Sequence, residues 1–391
     1  MRFSAFVTRK YFLSILLLLM MSPALAARER GPRVQVDCPF PPIAVKVAQK
    51  AGESRVLAYE LNITNFDVVP LTLKQMEIFG EGNKEHLLAA ISGDALPAFM
   101  VEVGSSGAPK KPQVIEPGRR AVIFLWVELA PGTLLPRNLS HRMVFVAESP
   151  TTGSTDITES TLEDFPVPVN PETLPVLSPP FDGGIWLAGD GPGNDSGHRR
   201  SILAIDGRTY SPERFAADWV KVGPNGDSHH DETARNENWW GYSEPIHSVA
   251  EGEVTQVVDG IADNTPRVLP KQVTLDNIAG NYVIVRISPN RYVTYSHLQP
   301  GSISVALHDH VSRGAVIGRL GNSGQATAPH LHLQLTDSDS VLQSEGVPFI
   351  FSSYTDFGPG SDYEMDKHIT IPRTDAIPGK DEVVEFTSMK K

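Results

Sequence analysis

The segment APHLHLQL, residues 328–335, is the most informative stretch of this sequence. Side chains at positions i and i+2 of a β-strand lie on the same face, so a strand here places His330 and His332 on one face and the intervening leucines on the other. The leucine face is predicted to enter a core, and two imidazoles about 7 Å apart on the opposite face can serve one site. By itself the pattern also fits two solvent-facing histidines on an ordinary amphipathic strand.

Histidines are concentrated in the second half of the chain, where ten of the twelve lie after residue 197. Histidine is the usual neutral zinc ligand and proton carrier near pH 7. His297 ends a predicted strand, and His198 precedes another beside two arginines. Asp218 lies in the apolar context FAADW, where burying its carboxylate is costly unless charged partners or a metal compensate. Taken singly, these residues also fit a strand end, a loop histidine and a turn or cap residue.

The chain around these residues is rich in short strand patterns and turn signals, and it shows no helical periodicity sustained over three turns. The predicted strands are 201–205, 253–258, 282–287, 291–296, 315–320 and 330–335. The second half of the chain is therefore predicted to be mostly β.

Five motifs in this half occur in a specific order and spacing. They are PIHSVAEGEV (245–254), GNYVIV (280–285), YSHL (295–298), VSRGAVIGRLGNSG (311–324) and APHLHL (328–333). Together they resemble the LytM-type zinc metallopeptidases of the M23 family, over roughly residues 196–350 or about two-fifths of the chain. The resemblance implies an antiparallel β-sheet peptidase domain.

The resemblance also implies a zinc site. It assigns His198, Asp218 and His332 as ligands of one Zn²⁺ per chain and leaves the fourth position to water, as in catalytic zinc sites. It assigns His297 and His330 as catalytic histidines beside the metal. In such a site the zinc activates the water and polarises the scissile carbonyl, while an imidazole accepts a proton and donates one to the leaving amine.

The spacing of the first two implied ligands departs from the family pattern, in which the histidine precedes the aspartate by three or four positions. Here 19 residues separate His198 from Asp218. A hairpin inserted between them, beginning with the predicted strand 201–205, can still bring both to one metal. His229 and His230 are the alternative candidates for the first ligand, although their polar loop favours surface exposure.

The hairpin pattern at residues 309–324 also resembles the flat hairpin of lipoyl and biotinyl carrier domains. Such carriers need a lysine at the hairpin tip, and this segment has none. The carrier interpretation is therefore poor. His308 and His310 flank Asp309 at a predicted turn, and we assign them no role.

Residues 27–168 are predicted to form an immunoglobulin-like β-sandwich. Apolar residues alternate along 57–63, as in a half-buried strand, and 122–127 is a continuous apolar run typical of a strand buried on both faces. About seven short strands in this region fit such a sandwich. It has no catalytic pattern, so its predicted role is to dock a protein partner or to act as a rigid spacer.

The remaining boundaries follow from composition. Residues 169–195 are rich in proline and glycine and predict a semi-rigid linker that runs over a surface. Residues 196–360 form the predicted peptidase domain. The tail, 361–391, is predicted to be partly ordered, with a return strand and a frayed end.

Composition excludes several classes of protein. With 391 residues, 40% hydrophobic and 20% charged, the chain is globular and long enough for two or three domains. The net charge of −12 argues against non-specific binding of nucleic acid. The single cysteine, Cys38, excludes an intramolecular disulfide framework or a cysteine-rich zinc module.

The N-terminus predicts export. Arg2, Arg9 and Lys10 precede an apolar run at 11–21, and the small residues at 24–26 offer a cleavage site. Residues 1–26 therefore form a predicted signal peptide, and the mature protein, with a charge of about −15, is predicted to be periplasmic or secreted, with no integral membrane segment. The alternative is an uncleaved N-terminal anchor, which the shortness of the apolar run disfavours.

These inferences predict an all-β, exported zinc metalloendopeptidase that hydrolyses peptide bonds in peptidoglycan stem or cross-link peptides. The alternative is a catalytically silent LytM-type module that binds a partner and regulates another cell-wall hydrolase; such members usually lack a ligand. A third hypothesis is a scaffold whose N-terminal domain docks a protein partner. Loops 225–242 and 259–276 are predicted to wall or cover the substrate groove.

Overall fold

The computed structural model describes residues 31–49, 52–81, 86–104, 111–148, 157–224, 226–231, 234–360 and 370–387. The predicted signal peptide, 1–26, lies outside these residues. Among the residues that are described, no helix is long and apolar enough to cross a membrane.

Strands dominate the N-terminal part of the described chain. They are β1 (Val34–Asp37), β2 (Ala44–Gln49), β3 (Gly52–Asn65), β4 (Leu71–Gly80), β5 (Leu87–Ser92), β6 (Met100–Glu102), β7 (Val114–Ile115), β8 (Arg120–Leu129), β9 (Asn138–Glu148) and β10 (Ile157–Pro168). A 3-10 helix at Gly93–Phe99 precedes β6. One sheet holds β2-β3-β8-β6, with β1 beside β3, and the other holds β10-β9-β4-β5, with β7 beside β4.

The two N-terminal sheets face each other over one apolar cluster. Strands β3 and β8 supply Leu57, Tyr59, Leu61, Ile63, Ile123, Leu125 and Val127 to it, and β4 and β9 supply Leu73, Met76, Ile78, Met143 and Phe145. The alternation along 57–63 thus places a core face where it was predicted. The arrangement is a two-sheet sandwich, and its immunoglobulin-like class stays a prediction.

Strand β3 differs from its prediction on its other face. Ala58, Glu60 and Asn62 are 1%, 3% and 8% exposed, so β3 is buried on both faces and the prediction of a half-buried strand is wrong. The reason is that Val56 and Ala58 join the apolar cluster of the C-terminal part of the chain. The N-terminal sandwich therefore packs directly against the rest of the molecule.

The C-terminal part is also built from strands. They are β11 (Val176–Leu177), β12 (Gly184–Gly189), β13 (Leu203–Ile205), β14 (Arg208–Tyr210), β15 (Ala217–Val222), β16 (Pro245–His247), β17 (Gly252–Val258), β18 (Asn281–Ser288), β19 (Arg291–Leu298), β20 (His310–Val311), β21 (Val316–Arg319), β22 (Leu331–Thr336), β23 (Ile350–Pro359), β24 (Ile371–Pro378) and β25 (Glu382–Phe386). Helix α1 spans Gly197–Arg200, and a 3-10 helix spans Asn236–Asn238. The all-β prediction is confirmed.

One sheet runs through both parts of the molecule. Its order is β20-β17-β18-β19-β22-β15-β12-β25-β23-β24-β2-β3-β8-β6. Strands β24 and β25 come from the predicted tail, and β24 pairs in parallel with β2 of the sandwich. The C-terminal strands therefore join the sandwich to the sheet that carries the predicted peptidase residues.

The predicted linker 169–195 needs a correction, because β11 within it pairs in parallel with β23 and buries Leu177. Strand β12 lies inside it and pairs with both β15 and β25. Phe181 stacks on Trp186 with ring centroids 3.4 Å apart, and both side chains are buried. These aromatic side chains anchor the segment in the core, so it does not run over a surface as a linker.

Candidate metal centre and active site

Three adjacent strands bring the predicted site residues together. Asp218 on β15 lies opposite His332 on β22, and His332 lies opposite Ser296 on β19. The leucines of the 328–335 segment are at most 1% exposed, so their predicted place in the core is confirmed. On the other side of β22, the site lies in a cavity of about 230 Å³. Its polar lining includes His198, Glu213, Asp218, Ser296, His297, Gln325, His330 and His332.

His198 reaches this cavity from helix α1. The Asp190 carboxylate accepts hydrogen bonds from the backbone N–H groups of Gly197 (2.8 Å) and His198 (2.9 Å). The His198 Nδ1–H donates to the Asp190 carbonyl oxygen at 3.0 Å, which leaves Nε2 at 3.5 Å from Asp218 Oδ1. The hairpin β13–β14 occupies the long interval between His198 and Asp218, as the sequence predicted.

His332 is held from both ring nitrogens. Its Nδ1 lies 3.0 Å from Asp218 Oδ1, and its Nε2–H donates to Gln334 Oε1 at 2.8 Å. Gln334 Nε2 in turn donates to the carbonyl oxygen of Val341 at 2.9 Å. That bond orients the amide so that its oxygen faces the imidazole, and it leaves Nδ1 as the nitrogen directed at Asp218.

The three groups fit a zinc ion. One potential ligand atom each from His198, Asp218 and His332 lies within 4.8 Å of the others. Two ligands at about 2.0–2.1 Å from a tetrahedral zinc are about 3.4 Å apart, and the distances from Asp218 to the two histidines are 3.5 and 3.0 Å. Two imidazoles and one carboxylate are a donor set typical of catalytic zinc, which keeps a further position open.

His297 and His330 face each other beside these three residues, with ring centroids 4.7 Å apart. His297 Nδ1–H donates to the carbonyl oxygen of Ser323 at 2.8 Å, and His330 Nδ1–H donates to that of Ala328 at 2.8 Å. In each ring Nε2 is therefore the nitrogen free of a backbone anchor. His330 Nε2 lies 3.4 Å from Asp218 Oδ1.

The backbone of His297 is strained. Its φ of 63° is uncommon for a residue with a side chain and is a local cost of roughly 1–3 kcal/mol. Two hydrogen bonds hold it: its N–H donates to Ala279 at 2.9 Å, and its carbonyl accepts from Gly321 at 3.1 Å. The surrounding loops thus fix the direction of this imidazole.

Charge coupling dominates the electrostatics of the site. Burial opposes ionisation of Asp218, but the charges and hydrogen bonds of His330 and its neighbours hold the pKa of the carboxyl well below its usual range. Burial also opposes protonation of His332, but the Asp218 carboxylate outweighs it and raises the pKa of His332 to about 9. Burial and repulsion by His330 lower the pKa of His297 well below its ordinary value. A cation bound beside Asp218 would displace these protons.

The other predicted histidines lie elsewhere. His229 packs against Trp239 with ring centroids 5.1 Å apart, and His230 packs against Trp240 at 4.8 Å. Neither belongs to the group of possible metal ligands that His198 forms with Asp218 and His332. The structure does not bring His229 or His230 to Asp218. His308 is exposed beside Glu253, and His310 is exposed on β20.

The two loops predicted to wall the groove are tied to each other. Asn236 Nδ2 in the first loop donates to the carbonyl oxygen of Asn264 in the second at 3.0 Å. Asn264 Nδ2 donates to the carbonyl oxygens of Gly324 (2.8 Å) and Ala326 (3.0 Å), which flank Gln325 of the cavity lining. Neither loop contributes a residue to the described lining of the cavity, so their role as walls or as a lid of the substrate groove stays a prediction.

Sequence reasoning missed Asp190 and Gln334. Gln334 had a signal, because it is two residues beyond His332 on the same strand and therefore on the same face. Asp190 had none, since only the folded loop brings it to the start of helix α1. Glu213 was missed as well, although it lines the cavity.

His198, Asp218 and His332, with two further imidazoles beside them, form a candidate metal centre. Residues 240–343 match the family model described as peptidase family M23, and the chain therefore carries a domain of that family. The match includes His297, His330 and His332. It begins after His198 and Asp218.

A curated relative gives a short match. The chain is 48% identical over 58 residues to the peptidoglycan DD-endopeptidase ShyA of Vibrio cholerae. The match spans 15% of this chain and 13% of the length of that relative.

Solved structures of related peptidases give weaker matches. The catalytic domain of the prophage-encoded M23 protein EnpA from Enterococcus faecalis matches at 19% identity, over 43% of this chain and 85% of its own, with a TM-score of 0.23. A zinc-containing peptidase from Vibrio cholerae matches at 13% identity, over 77% of this chain and 82% of its own, with a TM-score of 0.20.

Proposed function

We propose that this protein is an exported zinc metalloendopeptidase that cleaves peptide bonds in peptidoglycan stem or cross-link peptides. The observation that carries the proposal is the convergence of His198, Asp218 and His332 in one cavity beside two anchored imidazoles. The M23 match and the peptidoglycan endopeptidase relative support the substrate class. Because peptidoglycan lies outside the cytoplasm, the proposal includes a periplasmic or secreted location and cleavage of the signal peptide at 1–26.

His198, Asp218 and His332 would hold the metal. A zinc ion supplies Lewis acidity: it lowers the pKa of a bound water toward neutrality and polarises the scissile carbonyl. Asp190 and Gln334 would set the orientation of the two ligand imidazoles through the nitrogens that do not face the metal.

His297 and His330 would handle protons. Each has Nδ1–H fixed on a carbonyl oxygen, so Nε2 is the nitrogen that accepts a proton from the attacking water. The same nitrogen can return that proton to the leaving amine as the C–N bond breaks. A protonated imidazole also stabilises the developing oxyanion, an effect worth about 3 kcal/mol per well-placed donor in other enzymes. Water thus adds across the peptide bond with no other reactant.

The complete set of ligands and imidazoles favours this proposal over a catalytically silent module. A digest of purified peptidoglycan tests it, with released fragments separated and identified by mass spectrometry. We expect the mature chain to release peptide-cleaved fragments and His332→Ala to release none. The control is His308→Ala, because the His308 side chain is exposed, lies beside Glu253 and does not line the cavity. Binding to peptidoglycan without cleavage by the wild-type chain would refute the proposal and support the silent module.

A further inference from the structure

A buried charge network links the N-terminal sandwich to the segments that carry two proposed zinc ligands. Glu60 lies on the face of β3 that points away from the sandwich core. It contacts Arg199 and Arg214, and the three residues are 3%, 0% and 2% exposed. Charged side chains are almost never this buried unless they are paired, and breaking such a pair is strongly destabilising.

The hydrogen bonds of this network have specific geometry. Arg199 Nη1 donates to Glu60 Oε1 at 2.7 Å. Arg214 donates to Glu60 Oε2 from Nε at 3.0 Å and from Nη2 at 2.9 Å. Arg199 Nη2 also donates to the carbonyl oxygens of Tyr59 (3.0 Å) and Leu125 (2.9 Å) on strands β3 and β8. One carboxylate of the sandwich therefore holds two guanidinium groups of the peptidase part.

Both arginines lie next to proposed ligands in the chain. Arg199 directly follows His198, and Arg214 precedes Asp218 by four residues. Helix α1, which carries His198, has only four residues and no helical stability of its own, so its position depends on tertiary contacts. Arg199 supplies contacts of that kind to the sandwich, while Asp190 and Asn194 supply others from within the peptidase part. The sandwich is thus one of the supports against which His198 is placed.

We propose that Glu60 is a positioning residue for the metal centre: through Arg199 and Arg214, the N-terminal sandwich sets the positions of His198 and Asp218. This inference rests on the proposed function, since it concerns the same zinc site. It makes the sandwich a working part of the peptidase and replaces its predicted role as a spacer. Glu60 itself does not line the cavity and acts through the arginines.

The test compares Glu60→Gln with a matched control, Asp356→Asn. Asp356 is 0% exposed and pairs with the buried Arg373, with Arg373 Nε donating to Oδ2 at 2.8 Å. Each substitution neutralises a buried carboxylate paired with arginine, but neither Asp356 nor Arg373 lines the cavity. Zinc affinity is measured by competition with a chromophoric chelator, and the melting temperature of the metal-free protein shows how far each variant is destabilised.

We expect Glu60→Gln to raise the zinc dissociation constant about tenfold, in the range found when groups that orient metal ligands are lost. Asp356→Asn should change it by less than about twofold at a similar loss of melting temperature, because distant sites act independently. A second variant, Arg199→Lys, keeps the positive charge and loses the forked contacts, and it should weaken zinc binding in the same direction. It keeps the test valid if Glu60→Gln does not fold.

The outcomes separate this inference from the proposed function. The positioning role alone would be overturned if the wild-type protein binds zinc and both Glu60→Gln and Arg199→Lys bind it at least as tightly as Asp356→Asn does. Wild-type protein that binds no zinc would overturn the proposed function and this inference with it.

Discussion

The molecule buries histidines in two regions for two different purposes. In the sandwich, His141 is 0% exposed, accepts a hydrogen bond from the Tyr59 hydroxyl at Nε2 (2.7 Å) and donates from Nδ1 to the Phe165 carbonyl oxygen (2.9 Å). In the peptidase part, His297 and His330 each anchor Nδ1 on a carbonyl oxygen, and His198, His330 and His332 each direct a nitrogen at Asp218. The site histidines are buried to a similar extent as His141, but their hydrogen-bond and charge partners differ from those of His141.

The difference teaches what separates a structural from a functional histidine. Both nitrogens of His141 have neutral partners, so burial alone lowers its pKa to about 4 and keeps it neutral. The site histidines share a carboxylate and a cavity, so each retains a nitrogen that can bind a metal or move a proton. Three predictions test this distinction.

The largest expected effect is on catalysis. His297→Ala and His330→Ala should each lower kcat about 10²–10⁴-fold, the usual loss when a general acid or base is removed. Because neither is a proposed ligand, the zinc content should stay at the wild-type level. Steady-state kinetics on a peptidoglycan-derived peptide, with metal analysis of the same samples, checks both parts. Loss of zinc from either variant would show that the residue serves as a ligand instead.

An intermediate effect is expected on metal affinity. Gln334→Leu removes the acceptor for His332 Nε2–H and should weaken zinc binding about 10–100-fold. Gln334→Glu keeps an acceptor oxygen and should bind zinc more tightly than Gln334→Leu. Chelator competition measures both dissociation constants. Equal affinities for the leucine and glutamate variants would mean that the hydrogen bond does not orient His332.

The smallest effect concerns His141 and pH. The folded protein lowers the pKa of His141 from 6.5 to about 4, so the unfolded chain binds the extra proton as pH falls below 6.5. The contribution of neutral His141 to the free energy of unfolding is therefore fully present above pH 6.5 and is lost toward pH 4. The loss is about 2 kcal/mol between pH 7 and pH 5.

Denaturant unfolding of chelator-treated protein measures this contribution. The difference in unfolding free energy between wild-type and His141→Gln should shrink as pH falls from 7 to 5, because glutamine does not titrate. Contributions of the site histidines are the same in both proteins and cancel in the difference. Parallel pH dependences would show that His141 is not held neutral in the fold.

Local patterns predicted much of the site. The period of two in the 328–335 segment places the leucines in the core, and the hairpin predicted between His198 and Asp218 is present. These features depend on residues near one another in the chain. The same period of two also places Gln334 on the face of His332, although no role was predicted for Gln334 from the sequence.

Long-range packing set what the sequence did not reveal. Glu60 looked like the solvent-facing residue of an alternating strand, because nothing near it in the chain indicates the domain that covers it. Asp190 meets His198 only when the loop after β12 folds back, and β12 itself resembled a linker because prolines and glycines surround it. Contacts of this kind depend on which faces of the strands and loops pack together, and the local sequence pattern does not determine that.

The central claim is that His198, Asp218 and His332 hold one zinc ion. The direct measurement is metal content by mass spectrometry of the purified mature chain and of Asp218→Ala, prepared without chelator. We predict about one zinc per chain in the wild type and its loss in the variant. A wild-type chain without zinc, or a variant that retains it in full, would contradict the claim.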